Sequence, residues 1–192
     1  MSIKKVVAVL LAVCLVGTML AGCGIVKIIP KGEEAKYTGV EVFDANAEAA
    51  GDWELIQKEI IGAAAEFKGV LASASSGSSY CVSFEGKVSE YNTDSPKGYL
   101  LVNTDGIDVR VQVGKVFSGT AVRDCQTNKV YGDFTNQTEW SAYAKTINAQ
   151  VLENVVTPLG DLSALVGKTI TVIGCFTPGN PIVVTPVSIT VQ

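Results

Sequence analysis

The stretch LVGKTITVIGCF, residues 165–176, supports two incompatible readings. Gly167-Lys168-Thr169 matches the last three positions of a phosphate-binding loop. The residues after it, Thr, Ile, Thr, Val and Ile, are those of a β-strand. A phosphate loop needs a second glycine five positions before Gly167, and it needs a helix after the lysine whose free amides and dipole meet the phosphates. Position 162 is Leu162, and the residues beyond Lys168 have strand character. The nucleotide reading therefore fails. Gly167 is expected to turn the chain into a strand, with Lys168 at its solvated mouth.

The chain returns after the turn TPGNP, residues 177–181, as a last strand over 182–191, in which Pro186 implies a bulge or an edge position. Toward the N-terminus, QTEWSAYAKTINAQVLENV reads as a helix over about 137–155. Its apolar stripe is Trp140, Tyr143, Ile147 and Val151, and Asn136 and Glu139 have capping-box spacing. Before it, IDVRVQVG alternates Ile107, Val109, Val111 and Val113 against Asp108, Arg110 and Gln112, a strand with one apolar face. The turn Asp105-Gly106 joins it to a strand over about 98–103, and Tyr80–Asn92 supplies another strand with a bend at Gly86. A short strand near Val116 and a helical turn over 121–125 are expected between these and the long helix. The resulting order is three strands, a helix, then two strands. That is the order of an OB-fold, a five-stranded barrel with its helix between strands three and four. A further helix, 45–72, precedes the barrel, with Trp53, Ile56, Ile60, Ala64, Phe67 and Leu71 on its apolar stripe and Asp44 or Asn46 as cap. The fold class is thus mostly β with α additions, α+β.

The N-terminus has a different logic. Lys4 and Lys5 precede an unbroken apolar run from Val6 to Leu20, which ends in Leu20-Ala21-Gly22-Cys23. A run of this length suits a signal peptide and is short for a membrane span, which needs about 20 residues. Leu-Ala-Gly-Cys resembles the lipobox of bacterial lipoproteins, which implies cleavage before Cys23, lipid attachment to its thiol, and anchoring by two or three acyl chains. The expected organisation is a signal peptide over 1–22, a lipidated tether over 23–44 and one OB-like domain over 45–192.

Composition narrows function further. The chain has 15 basic and 19 acidic residues and no histidine. Loss of Lys4 and Lys5 with the signal peptide leaves 13 basic and 19 acidic residues, a net charge of −6. An acidic domain repels nucleic acid, and Tyr99 is the only aromatic near the strands that an OB barrel would use for stacking. The absence of histidine removes Ser-His-Asp and Cys-His catalysis and the commonest transition-metal ligand. Asp105, Asp108, Asp124 and Asp133 have no spacing that marks a catalytic pair, and NTDGID, residues 103–108, lacks the later glutamate of a calcium loop. No enzyme activity, cofactor, metal site or nucleic-acid partner is expected. Cys81, Cys125 and Cys175 are read as buried thiols, with a strand-to-strand Cys81–Cys175 disulfide as the alternative.

The segments VQVGKVFSGTAVRDC (111–125), DFTNQTEW (133–140), INAQV (147–151), LVGKTITVIGCF and VVTPVSITV carry a resemblance to a family of predicted periplasmic lipoproteins, domain of unknown function 2291. The resemblance is specific from Lys97 to Gln192 and looser over 32–96. It implies an OB-like fold and genes near sugar-uptake ABC transporters, so a component of such a transporter is the implied envelope partner. It implies no catalytic residues. The best candidate site is Arg123 and Asp124 with Asp133, Asn136 and Gln137. Arg123 can be read as a clamp for a sugar or anion flanked by amide partners, or as a structural ion pair beside a helix cap; the second is preferred. The functional expectation is a lipid-anchored, non-catalytic interaction module of the envelope, with a small-ligand binder as the alternative.

Overall fold

The computed structural model describes residues 43–192, so the expected signal peptide, Cys23 and the expected tether up to residue 42 lie outside the described residues. The strand order expected from the sequence is present. Strands β1 (Tyr80–Asn92), β2 (Tyr99–Thr104), β3 (Ile107–Gln112), β4 (Thr169–Phe176) and β5 (Val183–Val191) form the barrel. Antiparallel β1–β2 and β2–β3 pairs are followed by a short parallel β3–β5 pair, in which Arg110 lies beside Val183, and by antiparallel β5–β4. The barrel closes where β4 runs antiparallel to β1, from Tyr80 beside Phe176 to Lys87 beside Thr169. A two-residue segment, Ala65–Glu66, adds a parallel edge to β1.

Gly167 makes that closure possible. Its φ of 88° places it in the left-handed region that glycine occupies without a Cβ penalty. Its N–H donates to the Val88 carbonyl at 2.8 Å, and the Val88 N–H donates to the Lys168 carbonyl at 2.9 Å. The Gly-Lys pair is therefore a clasp at the end of the β1–β4 ladder, with Lys168 exposed.

Alternation decides which side chains fill the barrel. Val82, Phe84 and Val88 of β1, Leu100 and Val102 of β2, Val109 and Val111 of β3, Ile170, Val172 and Phe176 of β4, and Val184 of β5 point inward and are buried. Each such side chain contributes about 1.5–3 kcal/mol when fully removed from water. Two bulges bend the strands. Ser89 is skipped between β1 and β2, and Val187 is skipped between β4 and β5, beside Pro186. The bulged Val187 carbonyl accepts from Gln57 Nε2 at 2.8 Å.

The N-terminal helix expected over 45–72 is two helices. α1 (Ala45–Ala63) ends where Ala64 turns extended, and α2 (Phe67–Ser73) begins with Glu66 as cap, its carboxylate accepting from the Lys68 and Gly69 amides. Those two amides hold the Glu66 carboxyl below the usual carboxylate range. The break gives each half its own burial. Phe67 enters the barrel, with its ring centroid 5.2 Å from Phe84 and 5.8 Å from Phe176. α1 lies against the outside of the barrel and packs Trp53, Ile56 and Ile60 with Tyr143, Ile147 and Val151 of α4 (Gln137–Val151). α4 has Asn136 as cap, accepting from the Thr138 and Glu139 amides, while Glu139 reaches back to the Thr135 amide rather than to the cap residue. A π-turn over Leu152–Val156 continues α4 to the expected boundary. Residues near Val116 form no strand; Gln112 instead bonds the Ser118 backbone through both ends of its amide. α3 (Ala121–Cys125) forms as expected.

Two glycine substitutions should move stability in opposite directions. A Cβ at Gly174 would lie 2.4 Å from the Thr185 carbonyl oxygen and 2.9 Å from Pro186 Cα. Gly174→Ala is therefore expected to cost about 1–3 kcal/mol, by the range for overpacking. Gly51 sits exposed on α1 with open space at its Cβ position, and Gly51→Ala should add about 0.5–1 kcal/mol. Urea unfolding midpoints of both variants check the pair.

Candidate functional site

Arg123 stands on α3 and faces the start of α4. Its guanidinium donates through Nε at 2.8 Å and Nη2 at 2.6 Å to one Asp124 carboxylate oxygen, and Nη1 donates to the Trp140 carbonyl at 3.3 Å. The guanidinium carbon lies 4.2 Å from the centre of the Trp140 ring, and the side chain is 11% exposed. The second Asp124 oxygen accepts from the Thr120 hydroxyl. Arg123 is thus covered by an aromatic face and a carboxylate that is its chain neighbour. The other sequence candidates have local tasks. Asp133 accepts from the Val130 amide at 2.8 Å, Asn136 caps α4, and Gln137 is exposed on its first turn. Arg123 and Asp124 bond each other, the Thr120 hydroxyl and the Trp140 carbonyl, whereas the side chains of Asp133 and Asn136 accept from nearby backbone amides.

Trp140 belongs to an aromatic cluster with Phe134, Tyr143 and Tyr131, at centroid distances of 4.9, 6.0 and 6.4 Å respectively. The Tyr143 hydroxyl donates to Asp52 at 2.7 Å; burial and that carboxylate hold the phenol well above its usual range. Lys129 bonds Glu48 and lies 3.6 Å from Asp52, and Thr127 donates to Glu59 from its amide and hydroxyl. The segment 127–131 therefore runs along the α1 stripe Glu48, Asp52, Leu55 and Glu59, whose members share one helix face. Leu55, Val130 and Tyr131 are 57, 57 and 52% exposed there.

On the β2–β3 face, the Arg110 guanidinium sits over the Tyr99 ring, 4.6 Å from its centre. The one aromatic side chain available for base stacking on these strands is already covered.

A second constellation was not legible in the sequence. Cys81 of β1 and Cys175 of β4 are partners in register and point away from the barrel interior. Cys125, the last residue of α3, joins them, and the three Sγ atoms lie within 4.8 Å of one another. All three are free thiols; Cys175 is buried, while Cys81 and Cys125 are partly exposed. The alternative disulfide between Cys81 and Cys175 is thus not formed in this structure, although the pair is adjacent. The third cysteine gives no sequence signal because α3 reaches β1 and β4 only through the tertiary fold. The three thiols perturb one another's titration through S–H contacts. The bonds from Cys125 and Cys175 draw the Cys81 thiol below the ordinary range. Cys175 is pushed up by its bonds to Cys125 and Cys81 and by burial. In Cys125 the bond from Cys175 acts downward, but the Cys81 neighbour and burial together raise it.

The family of predicted periplasmic lipoproteins designated DUF2291 has a sequence model that matches residues 11–190. The chain belongs to this family. Its description places the protein on the extracytoplasmic side, anchored by lipid. Among solved structures, the chain is similar to an OB-fold protein from Thermotoga maritima, with a TM-score of 0.61 and 17% identity. The match covers 79% of this chain and 100% of that one. At this identity the likeness establishes the fold. No curated protein matches the sequence.

Arg123→Ala should destabilise the domain by about 1–2 kcal/mol through loss of a desolvated cation–π contact and its packing. Arg123→Lys should recover less than half of that loss, because an ammonium cannot stack and fork together. Wild-type urea midpoints in both variants would show that the pair is not structural.

Proposed function

We propose that the protein is a non-catalytic interaction module, tethered to the membrane through lipid on Cys23, that docks on a protein partner of the cell envelope. The carrying observation is the exposure of Leu55 on α1 and of Val130 and Tyr131 on the segment that Lys129 and Thr127 bond to α1, with Tyr131 against Trp140. Exposed large apolar side chains beside an aromatic cluster favour a protein contact surface. A component of a sugar-uptake transporter is the first partner to test, on the strength of the genomic setting implied by the family resemblance. The alternative, a polar pocket for a sugar or anion around Arg123, has less support, since that guanidinium is occupied by Asp124 and Trp140.

The tether has a simple test. Cells fed labelled palmitate should yield the wild-type chain labelled and Cys23→Ala unlabelled; label retained in Cys23→Ala would contradict lipidation at Cys23. For docking, a photo-crosslinking residue at Leu55 or Tyr131 should capture one envelope protein, while the same residue at Lys168, on another part of the surface, should not. Capture from all three positions or from none would remove the proposed face.

A further inference from the structure

We propose that Cys81, Cys125 and Cys175 form a three-thiolate site for one thiophilic metal ion of the zinc(II) or copper(I) class. The geometry is the first argument. Thiolates bound to one such ion at about 2.3 Å stand about 3.8–4.0 Å apart. The three Sγ atoms already lie within 4.8 Å of one another, so small side-chain adjustments suffice. The sulfurs come from three separate elements, β1, α3 and β4, so an ion would join the short helix to the strands that close the barrel.

The surroundings are those of a supported site. Cys81 and Cys175 are held by the β1–β4 ladder. The cysteine of α3 is positioned from both sides. Gln112 is buried and bonds Ser118, on the approach to the helix, and Thr185, the register partner of Cys175. Gln126, the residue after Cys125, is also buried and bonds the Arg123 and Lys129 carbonyls. These bonds fix the backbone on both sides of the helix that carries Cys125. The partial exposure of Cys81 and Cys125 gives an ion a path from solvent.

Donor chemistry sets the class of ion. Sulfur alone favours zinc(II) and copper(I) over the oxygen-seeking calcium and magnesium. With zinc(II), three thiolates leave one net negative charge and a fourth position for water on the exposed side; copper(I) is satisfied by two or three sulfurs. Each thiol that ligates releases its proton to solvent. A Cys81–Cys175 disulfide is the competing chemistry, since opposed strand residues have Cα atoms about 4.5–5.5 Å apart, within disulfide range. It would use two sulfurs and strand Cys125, whereas an ion uses all three.

The test uses the full chain purified in detergent and reduced under anaerobic conditions, with thiol content verified by titration. Cobalt(II) added as a zinc probe should give a thiolate charge-transfer band that saturates at one equivalent and is displaced by zinc(II). Copper(I) is tested in parallel by competition with a chromogenic chelator. Cys81→Ser and Cys125→Ser, both at partly exposed positions, should weaken binding of the responsive ion by at least about 10-fold while keeping the metal-free circular dichroism of the wild type. The triple Cys→Ser variant sets the background binding by the rest of the chain. Saturation by neither ion overturns the proposal, as does binding that Cys125→Ser leaves unchanged. Recovery of the envelope protein metal-free with a Cys81–Cys175 bridge would overturn it in favour of a structural disulfide.

Discussion

Barrel closure depends on one backbone ladder, the antiparallel pairing of β1 with β4. Until residues 80–87 meet residues 169–176, the sheet has two open edges and its apolar face cannot enclose Phe67, Phe84 and Phe176. The pairing is non-local, and its register is fixed because a one-residue slip would turn the inward set of one strand outward, either Val82 and Phe84 or Val172 and Phe176. Gly167 locks the far end, where a left-handed residue lets the chain bond Val88 from both sides. The Gly-Lys pair that resembles a phosphate loop is thus explained by sheet closure.

The same ladder organises the outer surface. Residues alternate along β1 and β4, so placing Val82 and Phe176 inside places Cys81 and Cys175 outside and opposite one another. α1 and α4 cover this side with a second apolar layer, and α3 completes it. The Arg123–Trp140 stack and the bonds of Lys129 to Glu48 and Thr127 to Glu59 hold the covering segments to one another. The exposed Leu55, Val130 and Tyr131 and the sulfur cluster thus both belong to elements on the outside of the barrel.

Several of these features were readable from sequence for local reasons. Period-two alternation marked β3, and Asp105-Gly106 marked the turn from β2. Asn136 marked the start of α4, and Pro186 marked the β5 bulge. The break between α1 and α2 was hidden because Ile60, Ala64, Phe67 and Leu71 keep helical spacing across it; the barrel's demand for Phe67 overrode that periodicity. The loop around Val116 has strand-like residues, yet the buried Gln112 amide holds Ser118 in place of a ladder. The convergence of three cysteines had no local signal, since it arises from closure and from the docking of α3.

The most direct measurement of the central claim is amide hydrogen exchange resolved residue by residue across the domain. Amides of Tyr80–Lys87 and Thr169–Phe176 that lie in the ladder should exchange only with global unfolding, among the slowest in the molecule. If these amides exchange early while the β2–β3 hairpin stays protected, the barrel does not depend on β1–β4 closure and the account fails.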